Sequence, residues 1–366
     1  MNSVKILVPR LYNVGGVANY YSTLRGYIGQ EYEYIYRGNT SRNESKLKIP
    51  WRMLKDYSVF YRKTRYGAKA IVINSSLGAG GFIRDGLYFL LAPWRVRKIV
   101  FFRGWNPGFE KKIDDSSIMK AWLKKTFLRA DHILVLSSEF KSKLRQWGFE
   151  GPVNLGSTLV GENLLENESL EILSSFRHSN ESTNILYLGN ISKAKGVWDV
   201  IKAYKILYNQ EGLQNLKCII AGDGQELNEL TKYSRTHDLD IEFPGYVREK
   251  QKTAVFKNAH LYVFPSAHHE GMPTSVLEAM AFGLPVITTR VGGLSDFFED
   301  GKMGLFLDSR EPEHIAEKIR YLLERPEVMR QMSEYNHRYA KEHFYASKVA
   351  RHFESIIESV IKRNHE

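Results

Sequence analysis

The sequence predicts an α/β protein built from two doubly wound, Rossmann-like domains. Short apolar runs of strand composition alternate with amphipathic stretches from Val4 to about Lys362, the pattern of parallel sheets covered by helices. Glycine turns stand just after several strand-like runs, at Gly15-Gly16, Gly189 and Gly222-Asp223-Gly224, where open α/β sheets bind ligands. A chain of 366 residues is also too long for one ordinary core, which makes two domains the natural division. The polar stretch 161–184, rich in Glu, Ser and Asn, reads as their connection, setting 1–165 apart from 180–345.

In the first half, Val4–Pro9 is a strand, and Gly15-Gly16-Val17 opens a helix through about Tyr27. Glycines at such a turn let the backbone approach an anion closely. Residues 46–69 place Trp51, Leu54, Ser58 and Tyr61 on one helical face beside Arg52, Lys55, Arg62, Lys63 and Arg65. Such a helix either packs its aromatic stripe on the sheet or lies on anionic headgroups; the strand Ala70–Asn74 just after it favours packing. Leu77–Gly81 reads as a flexible loop, and residues 82–98 as an apolar helix ending in Arg95, Arg97 and Lys98, a second candidate for membrane contact. Lys98–Phe102 is a strand that leads to Arg103. Ser116–Arg129 is a basic amphipathic helix, Asp131–Leu136 a strand, and Ser137 a good N-cap for the next helix.

The second half repeats the alternation. Asn184–Leu188 is a strand; the turn through Asn190, Lys193 and Lys195 precedes a helix to about Tyr208. Leu216–Ala221 leads to the Gly222-Asp223-Gly224 turn, and Ile241–Val247 is a strand containing Tyr246 and Val247. Asp238-Leu239-Asp240 spells an Asp-x-Asp, but its polar loop setting favours chance over a metal site. Gly292-Gly293 starts one more helix. Helices over 312–324, 326–343 and Tyr345–Lys362 complete the chain.

The stretch His268–Asp308 carries the chemistry. The strand Leu261–Pro265 is followed by a loop, with Pro273 at the first turn of a helix from Thr274 to about Phe282 that stops at Gly283. Glu270 and Glu278 bracket the start of that helix with seven residues between them. Its amino end, with the backbone of Gly271, Met272, Thr274 and Ser275, carries roughly half a positive charge and suits a phosphate. Carboxylates on either side would accept hydrogen bonds from hydroxyls. A diphosphate flanked by a ribose and a sugar is a nucleotide sugar.

This Glu-x7-Glu, set within EGMPTSVLEAMAFGLPVITTRVGG, resembles that of family 4 of the retaining glycosyltransferases. The resemblance implies the GT-B fold, two Rossmann-like domains facing each other across a cleft, with residues 346–366 crossing back to the first domain. It implies transfer of a sugar from a nucleotide-sugar donor, with retention, to a glycan or lipid-linked acceptor. Cell-surface polysaccharide synthesis (capsule, O-antigen or lipopolysaccharide) is the expected setting. Glu270 would orient the donor sugar, Glu278 the ribose, and Lys195 the diphosphate. Asn190 stands where the family has an arginine, with Lys193 displaced beside it. Gly15 and Gly16 would face the donor phosphates, while Gly222, Asp223, Gly224, Tyr246 and Val247 would clasp the base. Arg103 replaces a histidine common in the family; it could contact the diphosphate or an acidic acceptor, but it lacks a neutral imidazole's chemistry.

Breaking the anomeric bond leaves a charged diphosphate, which Lys195 and the helix terminus, aided by Arg103 or Lys193, would stabilise. No second hydrolase-like carboxylate pair is present, and neither a metal nor a cofactor is required; a uridine diphosphate sugar is the expected donor. Alternative readings are a GT-B sugar-nucleotide epimerase and a basic nucleic-acid binder, but no RNA-binding motif supports the latter. A dehydrogenase would need Gly-x-Gly-x-x-Gly after the first strand, and a phosphorylase a pyridoxal-binding lysine context.

The net charge of +11 divides unevenly: residues 1–160 hold 27 Lys and Arg against 11 Asp and Glu, net +16, and the remainder 25 against 30, net −5. The basic half suits an anionic membrane surface or a polyprenyl-diphosphate-linked acceptor. One cysteine, Cys218, excludes an internal disulfide, and no run reaches the roughly 20 apolar residues of a membrane span. The initial apolar run is too short for a signal peptide. A cytoplasmic protein, peripheral on the inner face of the membrane, is expected.

Overall fold

The computed structural model describes residues 3–12, 15–39, 45–165, 182–210, 212–267 and 270–363. Two compact units emerge: Met1–Thr158 with His269–Met272 and Ala346–Glu366, and Leu159–His268 with Pro273–Tyr345. Most of the expected connection over 161–184 lies outside the described residues. The boundary falls at Thr158 rather than 165. Val160 bridges in parallel to Tyr345 and donates to the Phe344 carbonyl at 2.8 Å, and Thr253 donates to the Leu164 carbonyl at 3.0 Å. These bonds tie residues 160–165 to the second unit.

The first unit holds six strands, β1 (Ser3–Pro9), β2 (Tyr32–Arg37), β3 (Ala68–Leu77), β4 (Arg97–Trp105), β5 (His132–Val135) and β6 (Val153–Leu155), in the order β2-β1-β3-β4-β5-β6. All of their pairings are parallel. Helices cover both faces of such a sheet, so its central strands are continuously apolar; Ile71, Val72 and Ile73 are fully buried. Phe102 packs 5.4 Å from Phe127, and Trp105 stacks on Phe140 at 4.6 Å. The helix Ala346–Lys362 buries Val349, Phe353, Ile357 and Val360 against β3, β4 and the helix Gly16–Leu24.

The second unit repeats the plan with β7 (Thr183–Leu188), β8 (Leu216–Ala221), β9 (Ile241–Gly245), β10 (Leu261–Phe264), β11 (Val286–Thr289) and β12 (Gly304–Leu307), ordered β12-β11-β10-β7-β8-β9. Cys218 is buried in β8, and burial pushes its thiol pKa up. No helix among the described residues is long and apolar enough to cross a membrane.

Three local expectations change. The helix Ile49–Arg65 turns Asp56, Phe60 and Thr64 inward, so Trp51, at 77% exposure, Leu54 and Tyr61 face solvent rather than the sheet. Asp56 is drawn in because it accepts from the Gly38 amide at 3.0 Å and pairs with Arg52. Leu77–Gly81 is no loop: the helix Ala79–Leu91 begins there and ends before the expected 98, leaving Trp94 at 92% exposure. Ser116–Arg129 is interrupted into Ser117–Lys125 and a short turn, Phe127–Arg129, because the Thr126 hydroxyl bonds back to the Trp122 carbonyl at 2.7 Å.

His132 is buried in β5, and burial, then the Arg363 charge, pushes its pKa down to about 4 from an ordinary 6.5. Between those values the unfolded chain binds the extra proton, so stability must fall as the pH is lowered through that window. Urea midpoints should decline from pH 6.5 to 4, and His132→Gln should flatten that slope.

Candidate functional site

The second sheet reverses its winding at β7, which has β8 on one side and β10 on the other. Ligands of open α/β sheets bind outside the strand ends at such a point. The turn after β7 runs through Asn190 to a short helix, Lys193–Lys195. Gly196 closes it at φ 78°, where an added Cβ would lie 2.2 Å from the Pro265 carbonyl oxygen. The turn is also stitched to the loop after β10, since Ala267 donates to the Ala194 carbonyl at 2.9 Å. Lys195 Nζ lies 5.9 Å from the Phe264 ring centroid.

The neighbouring loops approach backbone to backbone. A Cβ on Gly222 would meet the Gly189 oxygen at 1.9 Å, and one on Gly224 the Ile191 oxygen at 2.3 Å. The Ile191 amide donates to the Asp223 carbonyl at 2.9 Å and the Gly222 amide to the Gly245 carbonyl at 2.8 Å. Asp223 Oδ1 accepts from the Gly224 amide. Beyond β9, Tyr246 is half exposed and Val247 buried, and Arg248 lies 4.8 Å from the Tyr246 ring centroid.

The helix Thr274–Ala281 starts at Thr274 as expected, with Pro273 just outside it in an extended conformation. The Pro273 carbonyl accepts from Val276 at 3.1 Å; the earlier amides have no carbonyl within the helix and are available to an anion. Tyr262 donates its hydroxyl to Ser275 Oγ at 2.8 Å, fixing the first turn on β10. The helix ends at Phe282, and Gly283 follows at φ 67°.

Glu278 is 5% exposed, and its Oε1 accepts a charge-assisted hydrogen bond from Lys252. Lys252 sits on the helix Glu249–Asn258 and was not foreseen. The ammonium compensates the buried carboxylate, whose Oε2 can still accept from a hydroxyl. Lys193, by contrast, is largely exposed and lies 3.8 Å from Glu226. Arg310 also braces the lysine turn: its Nε donates to Asp199 at 3.1 Å and its Nη2 to the Lys193 carbonyl at 3.5 Å.

Lys195, Gly222, Gly224, Thr274, Ser275 and Glu278 thus belong to the second unit. Gly15, Gly16, Arg103, Glu270, Gly271 and Met272 fall with the first. Gly15 and Gly16 have open space where a Cβ would stand. Gly271 is confined, since a Cβ would lie 2.6 Å from Leu136 Cδ1 and 3.2 Å from the Arg103 carbonyl. Asp238 adopts φ 51° in a turn and Asp240 lies 4.0 Å from Lys217. Among the described residues no cluster of three His, Cys, Asp or Glu could hold a metal ion.

Residues 170–339 match the family model for glycosyl transferases group 1. An uncharacterized glycosyltransferase of Methanocaldococcus jannaschii is 26% identical over 85% of this chain and 79% of its own length. The capsular polysaccharide biosynthesis glycosyltransferase CapM of Staphylococcus aureus is 26% identical over 58% of this chain and 54% of its own. Among solved structures, HepE of Anabaena in complex with UDP and glucose superposes with a TM-score of 0.73 at 14% identity, over 98% of this chain and 100% of that one. Sucrose-phosphate synthase of Thermosynechococcus elongatus gives 0.76 at 17%, over 99% and 100%. These likenesses establish the GT-B fold.

Removing the partner of a buried carboxylate leaves an uncompensated charge. Lys252→Met should lower stability by about 1–3 kcal/mol in urea unfolding, and the double variant Lys252→Met with Glu278→Gln should recover most of that loss. Additive losses would show that the two side chains do not interact.

Proposed function

Since residues 170–339 match the family model for glycosyl transferases group 1, we propose that this chain is a retaining, metal-independent transferase. It moves a hexose from a nucleotide-sugar donor, a uridine diphosphate sugar first among candidates, to a glycan or polyprenyl-diphosphate-linked acceptor. CapM, named for capsular polysaccharide biosynthesis, supports a role in cell-surface polysaccharide synthesis. The observation that carries the reading is the meeting of the Lys195 turn and the two glycine loops where the second sheet reverses. The helix Thr274–Ala281, with Glu278 four residues in, follows the strand beside them.

In this reading the donor diphosphate lies on the amino end of that helix with Lys195 as counter-ion, Glu278 Oε2 takes a ribose hydroxyl, and Glu270 orients the sugar. The bond from the anomeric carbon to the diphosphate oxygen breaks. The acceptor oxygen bonds that carbon on the same face, and the acceptor's hydroxyl proton passes to the departing diphosphate. Lys195 and the helix amides face the charge that grows on the leaving group, where preorganised donors accelerate reaction most.

The first unit's excess of positive charge and the outward Trp51, Leu54 and Trp94 support docking on the anionic inner face of a membrane.

Two measurements test these proposals. Lys195→Ala should lower kcat/KM for transfer by about 10²-fold, and Glu278→Ala should weaken UDP binding about tenfold, with circular dichroism unchanged. Wild-type rates in both variants would refute the site. Phosphatidylglycerol vesicles at low salt should co-sediment the protein, and Trp51→Ala with Trp94→Ala should reduce the bound fraction several-fold. No association with such vesicles would remove the membrane from the account.

A further inference from the structure

Among the described residues of the first unit, Arg103 is held by aromatic rings and a side-chain hydrogen bond with Tyr20 rather than by a carboxylate. The pairing of β3 with β4 passes from Ser75 opposite Phe102 to Ser76 opposite Gly104, so Arg103 is the extra residue of a bulge. Bulges re-aim a side chain out of the regular ladder. Here the guanidinium carbon lies 3.8 Å from the Tyr20 ring centroid and 4.4 Å from that of Phe101. Aromatic faces attract a cation and fix its plane, but they do not satisfy its N–H groups.

Arg103 Nε and Nη1 are buried and have no hydrogen-bond partner among the described residues. The other inward arginines of this unit each face a carboxylate, although Arg37 and Arg97 also leave a buried Nε without a hydrogen-bond partner among the described residues. Arg37 lies 3.4 Å from Asp85 and donates to the Asn74 carbonyl at 2.8 Å; Arg84 takes both oxygens of Asp85; Arg97 pairs with Asp131. A desolvated cation with unmet donors is costly to keep, and an oxyanion from outside the chain would supply what the fold does not. The Arg103 backbone also lies against Gly271, beside Glu270, and residues 1–160 carry net +16, a field that gathers anions.

We propose that Arg103 is the receptor for an oxyanion borne by the acceptor, so that the acceptor is an acidic saccharide carrying a carboxylate or a phosphate. The inference rests on the transferase reading and adds to it a substrate class. The aromatic faces of Tyr20 and Phe101 hold the guanidinium still, and the acid of the acceptor pairs with the guanidinium. Arginine suits this task because it stays charged and presents fixed, planar donors. Glutamine keeps a donor but no charge, and lysine keeps the charge without the plane.

The test uses the whole chain and three probes: methyl glucuronide, methyl glucoside and UDP, titrated by ligand-observed NMR and calorimetry. The wild type should bind the glucuronide about tenfold or more tightly than the glucoside. Arg103→Gln should erase that preference and Arg103→Lys restore only part of it, while UDP affinity changes little in either. Thermal unfolding gives an independent readout. Glucuronide should raise the wild-type midpoint but not that of Arg103→Met, and the methionine variant alone should unfold no lower than wild type. Equal binding of the two sugars by the wild type would overturn the proposal. So would a tenfold loss of UDP affinity in Arg103→Gln, which would assign the guanidinium to the donor diphosphate. The two readings fail separately: if Lys195→Ala binds UDP like the wild type, the donor site is wrong, whereas the sugar preference at Arg103 is read without any nucleotide.

Discussion

The second unit depends on a steric constraint: its loops can meet only where no side chain intervenes. The carbonyls of Pro265, Gly189 and Ile191 occupy the positions in which Cβ atoms of Gly196, Gly222 and Gly224 would stand. A methyl group at any of them would force backbone apart from backbone. With glycine there, the ends of β7, β8 and β9 join through backbone hydrogen bonds, and the placement of Lys195 is inherited from the main chain. Arg310 and Asp199 then hold the turn from outside. A charge positioned this way needs little reorganisation when an anion arrives, which is the condition under which electrostatic stabilisation is strongest.

The two units share a topology and differ in electrostatics. Both place their first strand beside the point where winding reverses. The first unit, though, buries charge under its sheet, with Arg37, Arg84 and Asp85 in one network and Asn74 linking Tyr21 to the Leu7 carbonyl. It also turns indoles outward. The second buries the Glu278–Lys252 pair and carries a mildly acidic balance. The donor and acceptor proposed above would divide between the units, an anionic nucleotide on one and an acidic saccharide on the other.

Much of this was legible in the sequence because parallel strands buried on both faces are continuous apolar runs; β1, β3, β7, β8 and β10 announce themselves that way. The edge strand β2, YEYIYR, is half polar, β6 has only three residues, and β12 follows directly on a turn, so none carries that signal. The face of Ile49–Arg65 was misjudged because aromatic periodicity reports amphipathicity, not direction; the inward pull of Asp56 comes from an amide eighteen residues away. Lys252 is twenty-six residues from Glu278 on another helix, a partnership no local spacing encodes. Glu278 and Lys195 could be singled out as candidates because the chemistry proposed for them is tied to a helix start and a glycine turn, both local features.

The helix Ala346–Lys362 is made after both sheets, yet its apolar stripe completes the unit made first. Until the ribosome releases those residues, the inner surfaces of β3 and β4 lack a layer. The middle of the polypeptide, with every strand of its own sheet already emerged, is free to mature ahead of the amino-terminal portion. Order of synthesis and order of completion are therefore reversed. A nascent chain of this protein carries its most basic portion unfinished while the second unit is being made.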